Sequence, residues 1–276
     1  MGLFRLFLDL KKIEIDAFAD LHNVLRSKVV RTFFALSGTK TAFVDKGRAE
    51  KKALTRTDNK IFQPLTTMFK RLIMVFKKLG FYIDLSNPIF LAKQKLDAET
   101  VDLIGNTTNK LIGIAPFAQY DSKVYPLDLM QKVIDELALN KKYTLLLFGG
   151  GKKEIELLNS LCRDYPNVIS IAGKIKFKQE LQLISNLDLM LSMDSGNAHI
   201  AAMLGVKVIT LWGATHPFTG FSPFNQPLEN ALVSDRQKYP LLPTSVYGNK
   251  KVVGYEDVMR TIAVEKVVEK INSNLA

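Results

Sequence analysis

The chain has 276 residues, 47% hydrophobic and 24% charged, a balance that excludes a disordered or fibrous protein and allows one large or two modest domains with real cores. A single cysteine, Cys162, excludes an internal disulfide framework and a cysteine-rich zinc site, and it points to a reducing compartment. The formal net charge of +11 is concentrated at the front, where residues 1–100 hold 19 Lys and Arg against 10 Asp and Glu.

Taken in order, residues 3–15 repeat apolar side chains at three- and four-residue spacing, which predicts an amphipathic helix. The opening MGLFRLFLDLKK includes acidic Asp9 and lacks a small-residue cleavage site, so it does not read as a signal peptide. Residues 17–22 are short and apolar enough for a strand, and residues 24–36 follow as a helix. Residues 40–56 contain the basic cluster KGRAEKKALTR and read as an exposed segment. Residues 66–79, TTMFKRLIMVFKKL, form a basic amphipathic helix, with Met68, Leu72, Val75, Phe76 and Leu79 on one face. Such a helix can lie on an anionic membrane, but its apolar face more often belongs to a core, and core is the favoured reading. No apolar run approaches the roughly 20 residues of a membrane span.

The basic front suits an anionic partner, either nucleic acid or an anionic membrane face. No nucleic-acid module or periodic aromatic platform accompanies it. A lipid-linked, phosphate-bearing acceptor is therefore the better match, and a solvated basic face without a partner is the plain alternative.

Residues 80–109 contain Asn87-Pro88 and a polar stretch, as a connector between domains would. From Lys110 the pattern alternates regularly. Strands are expected at residues 111–117, 143–148, 168–172, 189–193 and 206–212, and helices at 127–139, 155–162, 179–187 and 197–204. Five short strands separated by helices predict a doubly wound parallel sheet with right-handed crossovers. The glycines at 149–151 match neither a Walker A loop nor a dinucleotide fingerprint, leaving either backbone approach to a nucleotide or a plain turn. Residues 258–272 read as a closing amphipathic helix.

The chemistry concentrates at residues 188–217, DLMLSMDSGNAHIAAMLGVKVITLWGATHP. An apolar strand turns at Asp194-Ser195-Gly196 into a short helix closed by Gly205, and a second apolar strand follows. A helix that starts after Gly196 points unpaired N–H groups and its positive dipole end over the turn, a setting that suits phosphate. Gly196 permits close backbone approach, Ser195 adds a hydroxyl, and His199, one turn on, can supply an N–H or a positive charge. Asp194 would repel an anion and is expected to orient the turn by accepting backbone N–H groups. The plainer alternative is that Asp194 and Ser195 cap the helix and His199 is a structural histidine.

DSGNAHIAAMLGVKVITLWGATHP closely resembles the donor-site motif of the family 9 glycosyltransferases, the heptosyltransferase-like enzymes of bacterial lipopolysaccharide core synthesis. The similarity runs from about Asp16 to Pro227. It implies that the D-(S/T)-G-x-x-H turn, here Asp194, Ser195, Gly196 and His199, holds the diphosphate of a nucleotide-activated sugar, usually ADP-heptose. Residues 117–123 resemble the loop whose lysine reaches the donor phosphates. The resemblance gives Lys123 that role and the task of stabilising the leaving group, although viewed alone it is an ordinary surface lysine. Glu180 matches the segment near the nucleoside, with first-turn helix capping as its alternative. Gly213 to Pro217 matches a G-x-T-x-P loop and places Thr215 and His216 along the donor cleft.

Toward the front, DLHNVLRS is similar to a family segment in which Asp-Leu-His or Asp-Leu-Gln precedes an Asn and then an Arg-Ser pair, here with two residues between Asn23 and Arg26. That similarity assigns His22, Asn23 and Arg26 to the acceptor side, and helix capping is the other reading of His22. The resemblance implies a GT-B-like α/β architecture of two Rossmann-like parallel sheets. Residues 1–100 would form an incomplete acceptor-side domain and connector, and residues 101–276 the donor-binding domain. The family's first strand runs into a Gly-Asp turn whose aspartate is the general base. No such strand or Gly-Asp pair stands near the start here, so roughly two βαβ units, each on the order of 30 residues, are expected to be missing. Neither Asp20 nor His22 is assumed to replace that base.

The implied reaction is an inverting, metal-independent transfer of a heptose-like sugar from a nucleotide diphosphate to a lipid-linked, anionic core glycan. It needs no cofactor or nucleic acid, and is expected in the cytoplasm, with the inner face of the inner membrane as a place of peripheral contact. The alternative is a nucleotide-sugar binding protein that has lost transfer along with the base.

Overall fold

A computed structural model describes residues 2–162 and 165–276. The chain forms two compact units, Met1–Lys52 with Pro64–Ile89, and Ala53–Gln63 with Phe90–Ala276.

In the first unit, α1 (Gly2–Lys11) leads to β1 (Ala17–Asp20), α2 (Leu25–Leu36) and β2 (Lys40–Phe43). Strands β1 and β2 pair in parallel, Ala17 opposite Lys40 and Asp20 opposite Phe43. Side chains alternate across this small sheet. Ala17 and Ala19 pack with Ala42, Val75 and Leu79, while Phe18 turns the other way and stacks on Phe34 with ring centroids 5.0 Å apart. Next come α3 (Arg48–Thr55) and α4 (Met68–Leu79). Thr67 caps α4 by accepting the Lys70 N–H, and Gly80 ends it in the left-handed conformation. The apolar face of α4 is core, with Val75 and Leu79 buried.

Residues 40–56 are not an exposed segment. They contain β2 and α3, and Ala42, Val44 and Leu54 are buried. Of the basic side chains that suggested exposure, Arg48, Lys52 and Arg56 are exposed while Lys51 is buried, and within the first unit the buried Arg71 guanidinium binds Glu50 at 2.6 Å.

The second unit contains α5 (Ala98–Ile104), β3 (Lys110–Ala115), α6 (Leu127–Ala138), β4 (Tyr143–Leu147), α7 (Gly151–Leu161) and β5 (Val168–Ser170). It continues with α8 (Phe177–Ile184), β6 (Leu189–Met193), α9 (Gly196–Met203), β7 (Lys207–Trp212), β8 (Ala231–Val233) and α10 (Val264–Leu275). All six strands are parallel, in the order β5-β4-β3-β6-β7-β8. This is the doubly wound sheet expected from the alternation, extended by β8, which the sequence reading omitted. The connector also contains a helix, α5, which Asp97 caps by accepting the Thr100 N–H at 2.9 Å.

The two faces of the sheet divide by residue parity. Ile112, Ile114, Leu145, Leu147, Leu189, Leu191, Ile209 and Leu211 join the core that includes residues of α6 and α10. Leu146, Met190 and Val208 face the opposite way, onto Leu183, Ile184, Ala198, Ala201 and Ala202. With both faces covered, each strand reads as an unbroken apolar run.

Candidate functional site

The strand order reverses between β3 and β6. Chain connections leave this point in opposite directions, so the loops after the two strands part and leave a crevice at their carboxyl ends. The loop after β3 carries Gln119, Tyr120 and Lys123, and the turn after β6 carries Asp194, Ser195 and Gly196. These residues, with His199, Phe221, Val246 and Tyr247, line a cavity of about 390 Å³. A second cavity of about 420 Å³ shares Gln119, Ser195 and Gly196 with the first and runs past Gly149, Gly150, Glu154 and Glu180. The start of α9 thus lies where the two cavities meet.

Ser195 occupies the capping position of α9, but its side chain makes no capping hydrogen bond. Its hydroxyl pairs instead with that of Ser192 at 3.0 Å. Among the described residues no side chain accepts from the first N–H groups of α9, and the positive end of the helix dipole faces the crevice. Gly196 has no positive φ, and a Cβ built there would meet nothing within 4 Å. Neither strain nor packing demands glycine. The consequence of glycine is open space directly over the backbone.

Asp194 does not orient the turn through backbone N–H groups, as the sequence suggested. Its Oδ2 accepts the Lys123 ammonium at 3.1 Å and the Thr215 hydroxyl at 2.9 Å. The ion pair holds Lys123 beside the α9 terminus, and the aspartate's charge is committed to a cation. His199 borders the same cavity. Burial pushes its imidazole below the ordinary value of 6.5; Asp194 opposes the shift and Lys123 adds to it. The group at neutral pH is accordingly an N–H donor rather than a fixed positive charge.

Glu180, in the first turn of α8, lies in the second cavity with no hydrogen-bond or ion-pair partner among the described residues. Burial raises its carboxyl above the ordinary value. Thr215 sits behind Asp194, fully buried, and reaches the cavity only through that carboxylate. His216 turns away from both cavities. Its Nδ1 accepts the Phe218 N–H, its ring lies against Phe62 and Phe218, and burial with Arg236 nearby lowers it to about 4.

His22, Asn23 and Arg26 lie in the first unit. The Asp20 carboxylate accepts the N–H groups of His22 and Asn23 and pairs with Arg31 at 3.0 Å, so it serves as the organiser of that turn. The Asn23 amide donates to the Val44 carbonyl, and His22 and Arg26 are exposed. His22 therefore does not cap α2, whose capping position is Val24.

The structure brings together Lys123, Asp194, Ser195, Gly196 and His199, with Glu180 in the adjoining cavity. Phe221, Val246 and Tyr247 were not read as cavity residues because they come from irregular stretches, Phe221 between β7 and β8 and the other two after β8. The only signal there was the turn chemistry of Ser245 and Gly248.

The sequence pattern of glycosyltransferase family 9 (heptosyltransferase) matches residues 3–250. Lipooligosaccharide heptosyltransferase 2 of Campylobacter jejuni is 26% identical over 70% of this chain, and this chain spans 56% of that protein's length. Lipopolysaccharide core heptosyltransferase OpsX of Haemophilus influenzae is 26% identical over 97% of this chain, which spans 77% of OpsX. The heptosyltransferase WaaC of E. coli, solved with ADP, superposes with a TM-score of 0.64 at 16% identity, covering 99% of this chain and 77% of WaaC. The fold is thus the GT-B-like α/β fold.

Proposed function

Since the chain belongs to glycosyltransferase family 9, the heptosyltransferase family of lipopolysaccharide core synthesis, we propose that it binds a nucleotide-diphosphate heptose and transfers the sugar, with inversion, to a lipid-linked core glycan. The observation that supports this most directly is the uncapped start of α9, flanked by Lys123 and His199, at the junction of two cavities. A diphosphate there would accept backbone N–H groups of α9, the His199 N–H and the Lys123 ammonium. Glu180 would accept ribose hydroxyls in the second cavity. Adenine is the base we assign, in keeping with the ADP of WaaC.

In the transfer step an acceptor hydroxyl attacks the anomeric carbon from the side opposite the diphosphate and gives up its proton to water, while the bond between that carbon and the phosphate oxygen breaks and the oxygen leaves with the electron pair. Negative charge grows on the departing phosphate. Lys123 and the α9 terminus are already oriented toward that charge and need little reorganisation as it forms. The basic field of residues 1–100 would attract the anionic acceptor at the inner membrane face.

The test is release of ADP from ADP-heptose in the presence of a heptose-deficient lipid A core. Acceptor-dependent release, reduced about a hundredfold in kcat in Lys123→Ala, is the expected result. Release that is indifferent to the acceptor would indicate a hydrolase and contradict the proposal.

A further inference from the structure

We propose that the aromatic corner formed by Phe221 and Tyr247 receives the donor's sugar ring and determines which sugar is accepted. The proposal rests on the reading of the crevice as a nucleotide-sugar site and adds to it the location and chemistry of sugar selection. A nucleotide sugar has its charge in the middle and an uncharged group at each end. With the diphosphate over α9, where the cavities meet, each cavity takes one end. The cavity past Gly149 and Glu180 lies over β3 and β4, the position a nucleoside takes in doubly wound sheets, with an acidic side chain on the ribose. The sugar is left with the other end, walled by Phe221, Val246 and Tyr247.

The shape of that wall supports the assignment. The two rings are 5.6 Å apart between centroids and inclined at 56°, so the wall that they give the cavity is angled rather than one flat face. A planar base stacks best on one flat face. A pyranose chair presents C–H groups in several directions and can pack against two inclined rings, with its hydroxyls directed to solvent.

The corner is held in place by its own loop. Ser245 Oγ accepts the N–H groups of Tyr247 and Gly248, at 3.3 and 2.9 Å, and the Ser122 hydroxyl donates to the Gly248 carbonyl at 2.6 Å. Gly248 has φ +85°, and a Cβ there would meet Lys123 Cγ and Cδ at 2.7 Å. Glycine therefore lets the Lys123 stem cross the loop that presents Tyr247. The phosphate-side cation and the aromatic wall are kept at a fixed separation.

The experiment is calorimetric titration of the full chain with ADP and with ADP-heptose, in the unaltered protein, Tyr247→Ala and Tyr247→Phe. Tyr247 is 52% exposed, so its truncation leaves the core intact. The expected result is unchanged ADP affinity in both variants, with ADP-heptose bound about tenfold more weakly by Tyr247→Ala and normally by Tyr247→Phe. Undiminished ADP-heptose affinity in Tyr247→Ala would overturn the proposal. So would a loss of ADP affinity in that variant, because the wall would then hold the base. Failure of the unaltered protein to bind ADP would instead overturn the underlying site assignment, and the proposal with it.

Discussion

One carboxylate oxygen of Asp194 accepts both the Lys123 ammonium and the Thr215 hydroxyl, so a single atom links the loops after β3 and β7 to the turn after β6. Its partners are 71 and 21 residues away in the chain, and no local spacing could reveal them. The types and order of Asp194, Ser195, Gly196 and His199 were legible because they act within one turn of one helix. His216 shows the converse. Its neighbours Phe62 and Arg236 come from distant segments, and they give a motif histidine a buried, structural setting. This has a consequence for stability. His216 titrates at about 4 in the folded chain and near 6.5 when unfolded. Above 6.5 it is neutral in both states and contributes no pH dependence. Between 6.5 and 4 the unfolded chain takes up a proton that the folded chain refuses, so stability falls as pH falls, by about 3 kcal/mol at most. In His216→Asn, which keeps an acceptor for the Phe218 N–H, denaturant titrations should lose less stability over this window than in the unaltered protein. Equal losses would show that His216 is not held neutral.

Helix α9 is short, starts without a side-chain cap and depends on packing, with Ala198, Ala201 and Ala202 buried against β6 and β7. A missing cap costs on the order of 1 kcal/mol, and the same omission leaves N–H groups available to an anion. Gly196→Ala separates these effects. The new methyl would meet no protein atom within 4 Å, and alanine favours the helix. Thermal unfolding should therefore be unchanged or slightly raised, while affinity for ADP falls at least about tenfold. A destabilised variant with normal ADP affinity would contradict the role given to this helix end. The long elements were legible for related reasons. Strands buried on both faces leave unbroken apolar runs, and α6, α8 and α10 show clear periodicity. β2, α5 and β8 were missed because four, seven and three residues are too few to establish a period. In β2 and α5, polar neighbours further obscured the signal.

Across the whole molecule, the alternation after Lys110 was sufficient to predict the doubly wound sheet, and the strand order then located the crevice. The sequence did not reveal that residues 53–63 pack with the second unit, where Lys60 donates to the Pro243 carbonyl and Arg236 lies over the Phe62 ring at 3.4 Å. These contacts support the root of the loop that carries Tyr247. They join segments more than 170 residues apart, with no motif to mark them. Six parallel strands, one reversal of order and the uncapped start of α9 together present two adjoining cavities around an anion-binding point.

Donor binding at that point is open to direct measurement. The measurement is calorimetric titration of the 276-residue chain with ADP-heptose, beside UDP- and GDP-sugars, repeated on His199→Ala. Selective binding of ADP-heptose is expected, weakened about tenfold or more when the His199 N–H is removed from a charged acceptor. A folded protein that binds none of these donors, or a His199→Ala variant with undiminished affinity, would contradict it.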